Sequence, residues 1–393
     1  MRHDREGAPK IPVLHDPRIR GLFYQVALCL LVAFLIAAAV RNAADNLARA
    51  NIATGFGFWD GIAGFDISQT LIPYSSQSST YGRAFWVGLL NTLLVSGLGI
   101  VFATILGFVI GIARLSHNWL VARIASGYIE TIRNIPLLLQ LLFWYNAVLK
   151  ALPEPRDSYT FAGGYLNNRG LFLPHPVFAP GIGAVLIALA VGILGAWLFR
   201  FAARRRQERT GERLPVVAVS LVLIVGLPAL VFWLAGAPME FQYPSRGRFN
   251  VQGGVEILPE FAALLFGLVT YTASFIAEVV RAGIQSVPKG QSEAAYALGL
   301  RPGPALRLVV IPQAMRVIVP PLTNQYLNLT KNSSLAVAIG YPDFVQIFTG
   351  TVLNQTGQAV EIVAITMAVY LTISLITALL MNWYNARLAL AER

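Results

Sequence analysis

The chain has 393 residues, of which 56% are hydrophobic and 12% charged, and its formal net charge is +11. Soluble domains carry about 25% charged residues, so this composition excludes an ordinary soluble domain and indicates an integral membrane protein. The single cysteine, Cys29, and the four scattered histidines offer neither a disulfide framework nor the spacing of metal ligands. The basic residues do not form one stripe, which argues against nucleic-acid binding and fits membrane loops better.

Membrane-spanning helices are expected where about 20 mostly apolar residues follow one another, because backbone groups in lipid must be hydrogen-bonded within their own helix. The sequence predicts about eight such helices and therefore an all-α polytopic membrane protein. The predicted spans are residues 22–40, 85–113, 124–148, 180–199, 214–235, 257–277, 317–339 and 360–383.

Lysine and arginine concentrate on alternate connections between these spans, chiefly in residues 1–20, 200–213 and 281–316. The positive-inside rule then predicts that both termini are cytoplasmic. The outer connections, residues 41–84 and 151–179, are rich in Gly, Ser, Asn and Pro and are predicted to be exposed loops, with short interfacial helices as an option.

A cluster of arginines separates the fourth and fifth predicted spans. A basic cytoplasmic loop beside anionic lipid explains it, and docking of a partner is the alternative. The cluster consists of Arg200, Arg204, Arg205, Arg206, Arg209 and Arg213.

The connection 281–316 between the sixth and seventh predicted spans is basic and capable of forming helix. Proline is tolerated in a first helical turn and glycine ends helices well, so Pro288 and Gly299 predict a short helix over residues 288–298. We expect Pro312 to end or kink a second amphipathic stretch just before the next span. An amphipathic connector lying on the membrane surface is the alternative interpretation.

The predicted short helix has a side of small residues. Ala294, Ala295 and Gly299, with Leu298, would let the backbone of another protein approach closely, and Glu293 places a carboxylate beside them. This side is therefore a candidate docking surface.

The ordered set Glu293-Ala294-Ala295, Gly299 and Val309-x-Ile311-Pro312 resembles the "EAA" loop of permease subunits in ATP-binding-cassette (ABC) importers. From about Phe85 onwards, further stretches resemble the polar amino-acid permease family of binding-protein-dependent importers. These stretches are Asn91-Thr92-Leu93, Tyr128-Ile129-Glu130-Thr131-Ile132-Arg133, Pro136-Leu137-Leu138-Leu139-Gln140, Ala277-Glu278-Val279-Val280-Arg281-Ala282-Gly283-Ile284 and Lys331-Asn332-Ser333-Ser334-Leu335. The enlarged chain is most similar to permease subunits of general L-amino-acid uptake systems of Gram-negative bacteria.

The resemblance implies the type I ABC importer transmembrane fold in the bacterial inner membrane. Residues 1–84 would then hold a cytoplasmic tail, the first transmembrane helix and a periplasmic loop, and residues 85–393 the permease domain. Within that domain, the loops and two helices at about 151–255 are inserted between core helices, and 281–316 is the coupling loop.

The resemblance also implies partners. They are a second permease subunit, identical or related, two ATPase subunits, a periplasmic solute-binding protein and an L-amino-acid substrate. The residues expected to couple to the ATPase are Glu293, Ala294, Ala295, Gly299, Ile311 and Pro312.

The sequence contains no Gly-Lys dipeptide and hence no Walker A motif. The chain is therefore expected to be a pore subunit and not an enzyme. We expect no cofactor on this chain, with ATP and magnesium bound by the partner ATPase.

Polar residues inside the predicted spans are candidates for the substrate path or a gate, because they are costly in lipid. Asn324, Asn328 and Lys331 share one helical face, which we expect to point into the protein, and Lys331 could bind a substrate carboxylate. The alternative for Lys331 is snorkelling or anchoring a gate. The other candidates, for which hydrogen bonding between helices is the alternative, are Asn91, Gln140 and Tyr145.

Two pairs of opposite charge, Glu130 with Arg133 and Glu278 with Arg281, have the i, i+3 spacing of helical ion pairs and are predicted to be structural supports. Gly107 and Gly111, four residues apart, permit close packing of helices.

The function favoured by the sequence is ATP-driven import of L-amino acids from periplasm to cytoplasm. The main alternative is an ion-coupled secondary transporter, but the acidic residues that such a protein needs inside its spans are scarce. A membrane-embedded enzyme is a third option, for which no constellation of catalytic side chains is present.

Overall fold

The computed structural model of the chain describes residues 17–49, 54–212, 214–247 and 250–388. The predicted tail before residue 17 and Arg213 lie outside this range. The described part is mainly helical, with α1 Pro17–Arg49, α2 Tyr81–Arg114, α3 Trp119–Asn134, α4 Leu137–Leu142, α5 Ile182–Thr210, α6 Val216–Leu221, α7 Leu227–Leu234, α8 Pro259–Gln285, α9 Lys289–Ala297, α10 Pro302–Ala305, α11 Ile311–Asn332, α12 Leu353–Thr356 and α13 Ala359–Leu388.

Short stretches of other helix types extend or join several of these α-helices. The π-helical stretches are Phe143–Leu149, Val222–Gly226, Leu306–Val310 and Gln346–Val352, and the 3-10 turns are Pro155–Asp157 and Ser333–Ile339.

Several of the described helices are long and apolar enough to cross a membrane. Six meet that test alone: Tyr81–Arg114, Ile182–Thr210, Val216–Leu234, Pro259–Gln285, Pro302–Ile339 and Ala359–Arg387. The first predicted span contains a shorter apolar helix, Phe23–Ala39. Each predicted span thus consists mainly of helix where the structure describes it, and the prediction of an all-α polytopic membrane protein is confirmed, with six or seven spans by length and composition where about eight were predicted.

The third predicted span is broken. Trp119–Asn134 and Leu137–Leu149 are long and apolar enough to cross a membrane only when taken together, and the two helices are bent by 102° relative to each other. The cause is Pro136, whose ring disfavours helical backbone at the preceding residue, and Ile135 is accordingly extended at φ −99°, ψ 126°.

The connections around the inserted helices α5 to α7 contain short strands instead of the predicted loops. They are β1 Tyr159–Phe161, β2 Gly164–Asn167, β3 Gly170–Leu173, β4 His175–Phe178, β5 Met239–Gln242, β6 Ser245–Arg246, β7 Val251–Gln252 and β8 Val255–Ile257. The largest sheet has the order β1-β2-β3-β8, and β4 pairs with β5, all antiparallel. Strands entering the insert therefore pair with strands leaving it, which closes the insert at its base.

Small residues bring α5 against α6 and α7. The buried positions of α5 are Ala188, Gly192, Ala196 and Ala203, which recur at helical spacing. A Cβ on Gly192 would collide with the backbone oxygen of Leu223, so the two backbones touch at this crossing. The inserted helices thus form a hairpin held by close packing.

The described chain divides into two compact units. One contains the residues up to Leu94 together with Pro342–Trp383, and the other contains Val95–Tyr341 and the residues from Tyr384. These limits follow packing and do not test the predicted organisation into 1–84 and 85–393, which stays a prediction.

The second unit is built around α8, in which 56% of the residues in the most apolar part of the helix are buried. Glycines let neighbouring helices approach it closely. A Cβ on Gly107 of α2 would lie 2.6 Å from Cβ of Ile276, and one on Gly111 would lie 2.7 Å from the backbone oxygen of Ala277. The close packing expected of Gly107 and Gly111 is confirmed.

The first unit has an aromatic core. Phe344 and Phe348 stack with ring centroids 4.7 Å apart, and Phe85 meets both rings edge to face. Trp59, from the loop before α2, packs against Phe85 at 5.2 Å. The loop is therefore anchored to the helices by its own aromatic residues.

Candidate functional site

The helix α9 forms where the sequence predicts it. Pro288 precedes its first residue with an extended backbone, φ −58° and ψ 137°. At the other end Gly299 has φ +80°, its N–H donates to the oxygen of Tyr296 at 2.8 Å, and the N–H of Leu300 donates to the oxygen of Ala295 at 3.1 Å. These two bonds form a Schellman motif, which confirms Gly299 as the C-terminal stop.

Most of the predicted docking side of α9 is open. Glu293, Ala294 and Gly299 are exposed, and Leu298 is 83% exposed. Ala295 is the exception, because it is only 3% exposed, and α9 as a whole contacts the π-helical stretch Leu306–Val310. Ala295 therefore supports the position of α9 and is not part of the open surface, contrary to the sequence-based expectation.

The helix that follows holds α9 in place and continues without interruption through Ile311 and Pro312. Gln313 Nε2 donates to Gln291 Oε1 of α9 at 3.2 Å. The helical stretch Pro302–Ile339 runs on through Pro312, so this proline does not end it, but the π-helix gives way to α-helix immediately before it, at Val310 and Ile311. The physical reason is the π-helical stretch before it, where the N–H of Ile311 donates to the oxygen of Leu306 and the extra residue accommodates the proline ring.

The polar face of α11, formed by Asn324, Asn328 and Lys331, is exposed along its length. The prediction that it points into the protein is therefore wrong for the single chain. The opposite face explains the difference: Ile318 and Leu329 are 2% and 0% exposed, and this apolar side packs on α8. Burial of apolar area decided the rotation of the helix.

The other two candidates of the second unit are used in structural hydrogen bonds. Gln140 Nε2 donates to the oxygens of Ile132 and Ile135, both at 2.9 Å, and so fastens α4 to α3 across the break. The Tyr145 hydroxyl donates to Glu260 Oε1 at 2.6 Å. None of these bonds includes Asn324, Asn328 or Lys331, so the structure does not connect Gln140 or Tyr145 to the polar face of α11.

Asn91 is also used structurally, in the first unit. It is fully buried, and its Nδ2 donates to the oxygen of Gln69 at 2.9 Å and to that of Pro342 at 2.8 Å. It connects α2 to the loop before it and to the segment after Tyr341. All three side chains are thus hydrogen-bonded within the chain, Tyr145 from one helix to another and Asn91 to segments outside the helices.

A cluster of charges joins α2 to α8. Glu278 accepts hydrogen bonds from Arg281 in the same helix and from Arg114 of α2, which confirms the predicted pair and adds an unpredicted partner. The predicted pair of Glu130 with Arg133 is wrong. Glu130 lies 4.0 Å from Arg114, and the Arg133 guanidinium lies 4.9 Å from the ring centroid of Phe275, where it gains cation–π and apolar contact.

Sequence reasoning missed Asp343, which is fully buried in the first unit. Its Oδ1 accepts from the N–H of Gln346 at 2.8 Å and its Oδ2 from the Tyr370 hydroxyl at 3.1 Å. Beside it, the N–H of Phe344 donates to Thr92 Oγ1 at 2.9 Å. A Pro-Asp pair between two spans is a usual helix start and would have indicated this role.

Burial raises the pKa of the Asp343 carboxyl from its ordinary 3.8 to about 7. The folded protein therefore keeps a proton that the unfolded chain releases between these pH values. Stability falls as pH rises through this window, with a slope of at most about 1.4 kcal/mol per pH unit for one proton. Asp343→Asn should flatten this part of the profile of melting temperature between pH 5 and 8.

The matched control is Asp60→Asn, which removes an exposed carboxylate from the same unit. It should leave the wild-type profile unchanged. An unchanged slope in Asp343→Asn would show that this carboxyl does not titrate in the window.

Comparison with known proteins adds an independent finding. Residues 210–390 match the family described as "Binding-protein-dependent transport system inner membrane component". The chain is 54% identical over 381 residues to the "General L-amino acid transport system permease protein AapQ" of Rhizobium johnstonii, with 97% of this chain and 95% of that protein covered.

Two further relatives also match over nearly their whole length. The "Putative amino-acid ABC transporter permease protein YhdX" of Escherichia coli is 51% identical over 395 residues, with 100% of both chains covered. The "Glutamate/glutamine/aspartate/asparagine transport system permease protein BztB" of Rhodobacter capsulatus is 44% identical over 414 residues, with 97% of this chain and 96% of that protein covered.

Proposed function

The chain belongs to the permease subunits of amino-acid ABC transporters, with their type I importer fold, and from this premise we propose that it forms half of a pore importing L-amino acids from periplasm to cytoplasm. The observation that carries the proposal is the open surface of α9 at the foot of the long helix Pro302–Ile339. A short helix with small and apolar exposed residues, fixed at its end by a Schellman motif, is suited to receive another protein's backbone. We place it in the cytoplasm, where its ATPase partner would dock.

Permease subunits of this family are not enzymes, so the energy comes from a partner. We propose that two ATPase subunits bind ATP and magnesium and contact the exposed residues Glu293, Ala294, Gly299, Ile311 and Pro312. Ala295 contributes by packing beneath this surface. A periplasmic solute-binding protein would deliver the substrate, and the assembly would lie in the bacterial inner membrane with both termini of this chain in the cytoplasm.

The exposed polar face of α11 fits the substrate path. Asn324, Asn328 and Lys331 could not face lipid without cost, so either water or a second permease subunit must cover them. The Lys331 ammonium suits the carboxylate of an amino acid, while the asparagine amides can accept from its ammonium group. In this proposal, Gln140, Tyr145 and Asn91 hold the surrounding helices and do not contact substrate.

Reconstitution tests the proposal directly. In liposomes the purified chain alone should show no amino-acid uptake, whereas the chain with its second permease subunit, ATPase and binding protein should take up substrate only when ATP is supplied. Omitting one component at a time provides the controls.

The ion-coupled alternative makes the opposite forecast. Uptake by the chain alone, driven by a proton or sodium gradient without ATP, would contradict the proposed function.

A further inference from the structure

The inserted hairpin carries a groove that the import function does not use. The groove measures about 630 Å³ and lies between the arginine-rich end of α5 and the helix α6 with its π-helical continuation. The closest approach of the two arms, Gly192 against Leu223 and Ile224, lies beside its apolar end.

One wall of the groove is cationic. Arg200, Arg204 and Gln207 line it from one side of α5, at i, i+4 and i+7, with the small buried Ala203 between them. Within the described part of the chain neither Arg200 nor Arg204 has an ion-pair partner, and no acidic side chain lines the groove. Two uncompensated guanidinium groups thus face one space.

The neighbouring arginines are engaged elsewhere. The Arg205 guanidinium lies over the ring of Phe201 at 4.3 Å, and Arg206 Nη2 donates to Glu212 Oε2 at 3.0 Å. Neither lines the groove. Arg200 and Arg204 therefore differ from the other arginines of the cluster, because they line the groove and have no ion-pair partner among the described residues.

The opposite wall is apolar. It consists mainly of Val217, Leu221, Ile224 and Val225, with Ser220 among them. These residues belong to the span Val216–Leu234. None of the residues in the most apolar part of this span is buried by the rest of the described chain. This wall therefore continues directly into a surface that hydrocarbon must cover.

From these two walls we infer that the groove binds one anionic phospholipid. Its phosphate would accept hydrogen bonds from Arg200 and Arg204, since guanidinium groups bind phosphate bidentately. Its acyl chains would lie along Val217, Leu221 and Ile224. A lipid suits the site better than an acidic protein segment, because cationic and lipid-facing apolar surfaces meet in one groove.

Native mass spectrometry of the full-length chain with its associated subunits tests this site. Titration with phosphatidylglycerol should show one tightly bound lipid per chain, and phosphatidylethanolamine should not replace it. In the double variant Arg200→Gln, Arg204→Gln the affinity for this lipid should fall on the order of 25-fold, taking roughly fivefold for each arginine at an anionic lipid surface.

The double variant Arg205→Gln, Arg206→Gln is the matched control, because it removes the same charge at neighbouring positions that do not line the groove. Its affinity should change by less than about threefold, since salt screens the attraction of charges that do not contact the lipid. A second comparison changes shape and not charge. Ser220→Trp should fill the groove and displace the lipid, whereas Val222→Trp, on an exposed position outside the groove, should not.

Three results would overturn the inference. They are equal losses in the two arginine double variants, equal affinity for the anionic and zwitterionic lipids, and cross-linking of a photoreactive residue at position 220 to another protein subunit in place of lipid. The measurement reads lipid binding and does not depend on transport.

Discussion

Gly299→Asp should reduce ATP-dependent uptake and co-purification of the ATPase by about tenfold or more while leaving membrane insertion unchanged. Apart from the two adjacent residues, no described atom lies within 4 Å of a Cβ at this position, so the new carboxylate would project from α9 toward the proposed partner. An unpaired charge buried at an interface costs roughly 2–5 kcal/mol, which is enough for such a loss. Uptake in reconstituted liposomes and pull-down of the ATPase measure the two effects.

A control must separate docking from backbone strain, because Gly299 has φ +80° and any side chain there is strained. Gly211→Asp provides it: Gly211 ends α5 with φ +74°, is exposed, and among the described residues also has nothing within 4 Å of a Cβ. Both changes carry about the same strain, on the order of 1 kcal/mol. If the two variants lost transport equally, strain alone would explain the result and α9 would not be the docking helix.

Gly111→Val should prevent the subunit from folding stably. A Cβ here would lie 2.7 Å from the backbone oxygen of Ala277 and 2.9 Å from Cβ of Val280, and valine adds two more methyl groups. Neither neighbour can move without shifting α8, so we expect the free energy of unfolding to fall by about 3 kcal/mol or more. The yield of monodisperse protein and its melting temperature in detergent report the effect.

Gly97→Val is the comparison within the same helix. In the part of the chain that the structure describes, Gly97 has nothing within 4 Å of a Cβ, so the same substitution meets open space. Its yield and melting temperature should stay close to those of the wild type. Similar behaviour of the two variants would mean that α2 and α8 are not packed backbone to backbone at Gly111.

Local features of the sequence predicted those parts of the structure that depend on neighbouring residues. Pro288 and Gly299 bound α9 because capping needs only the residues beside the helix end. Glu278 and Arg281 pair because three residues separate them on one helical face. The length of the apolar stretches was enough to predict the membrane-spanning helices, apart from the break that Pro136 imposes.

Features decided by distant residues could not be predicted in the same way. Glu130 and Arg133 have the spacing of a pair, but Arg114 and Phe275, from other helices, offer them other contacts. The face of α11 carrying Lys331 turned outward because the opposite face is the more apolar. The partners of these side chains and the rotation of α11 depend on contacts with other helices, which the sequence of one helix does not show.

The strands around the insert show the same limit. They have two to four residues each, too few for a recognisable alternation. Two of the pairings, β3 with β8 and β4 with β5, join the stretch before the inserted hairpin to the stretch after it. Pairing between segments so far apart in sequence leaves no local pattern to read.

The continuous helical run from Pro302 to Asn332, which includes the π-helical stretch Leu306–Val310, would act as a lever arm if it tilted as one body. At about 1.5 Å per residue it is roughly 45 Å long, and Lys331 lies one residue from its far end. A tilt of about 10° at its foot beside α9 would sweep the Lys331 backbone through roughly 8 Å. A small rotation at the joint beside α9 is thus converted into a displacement of several ångströms at Lys331.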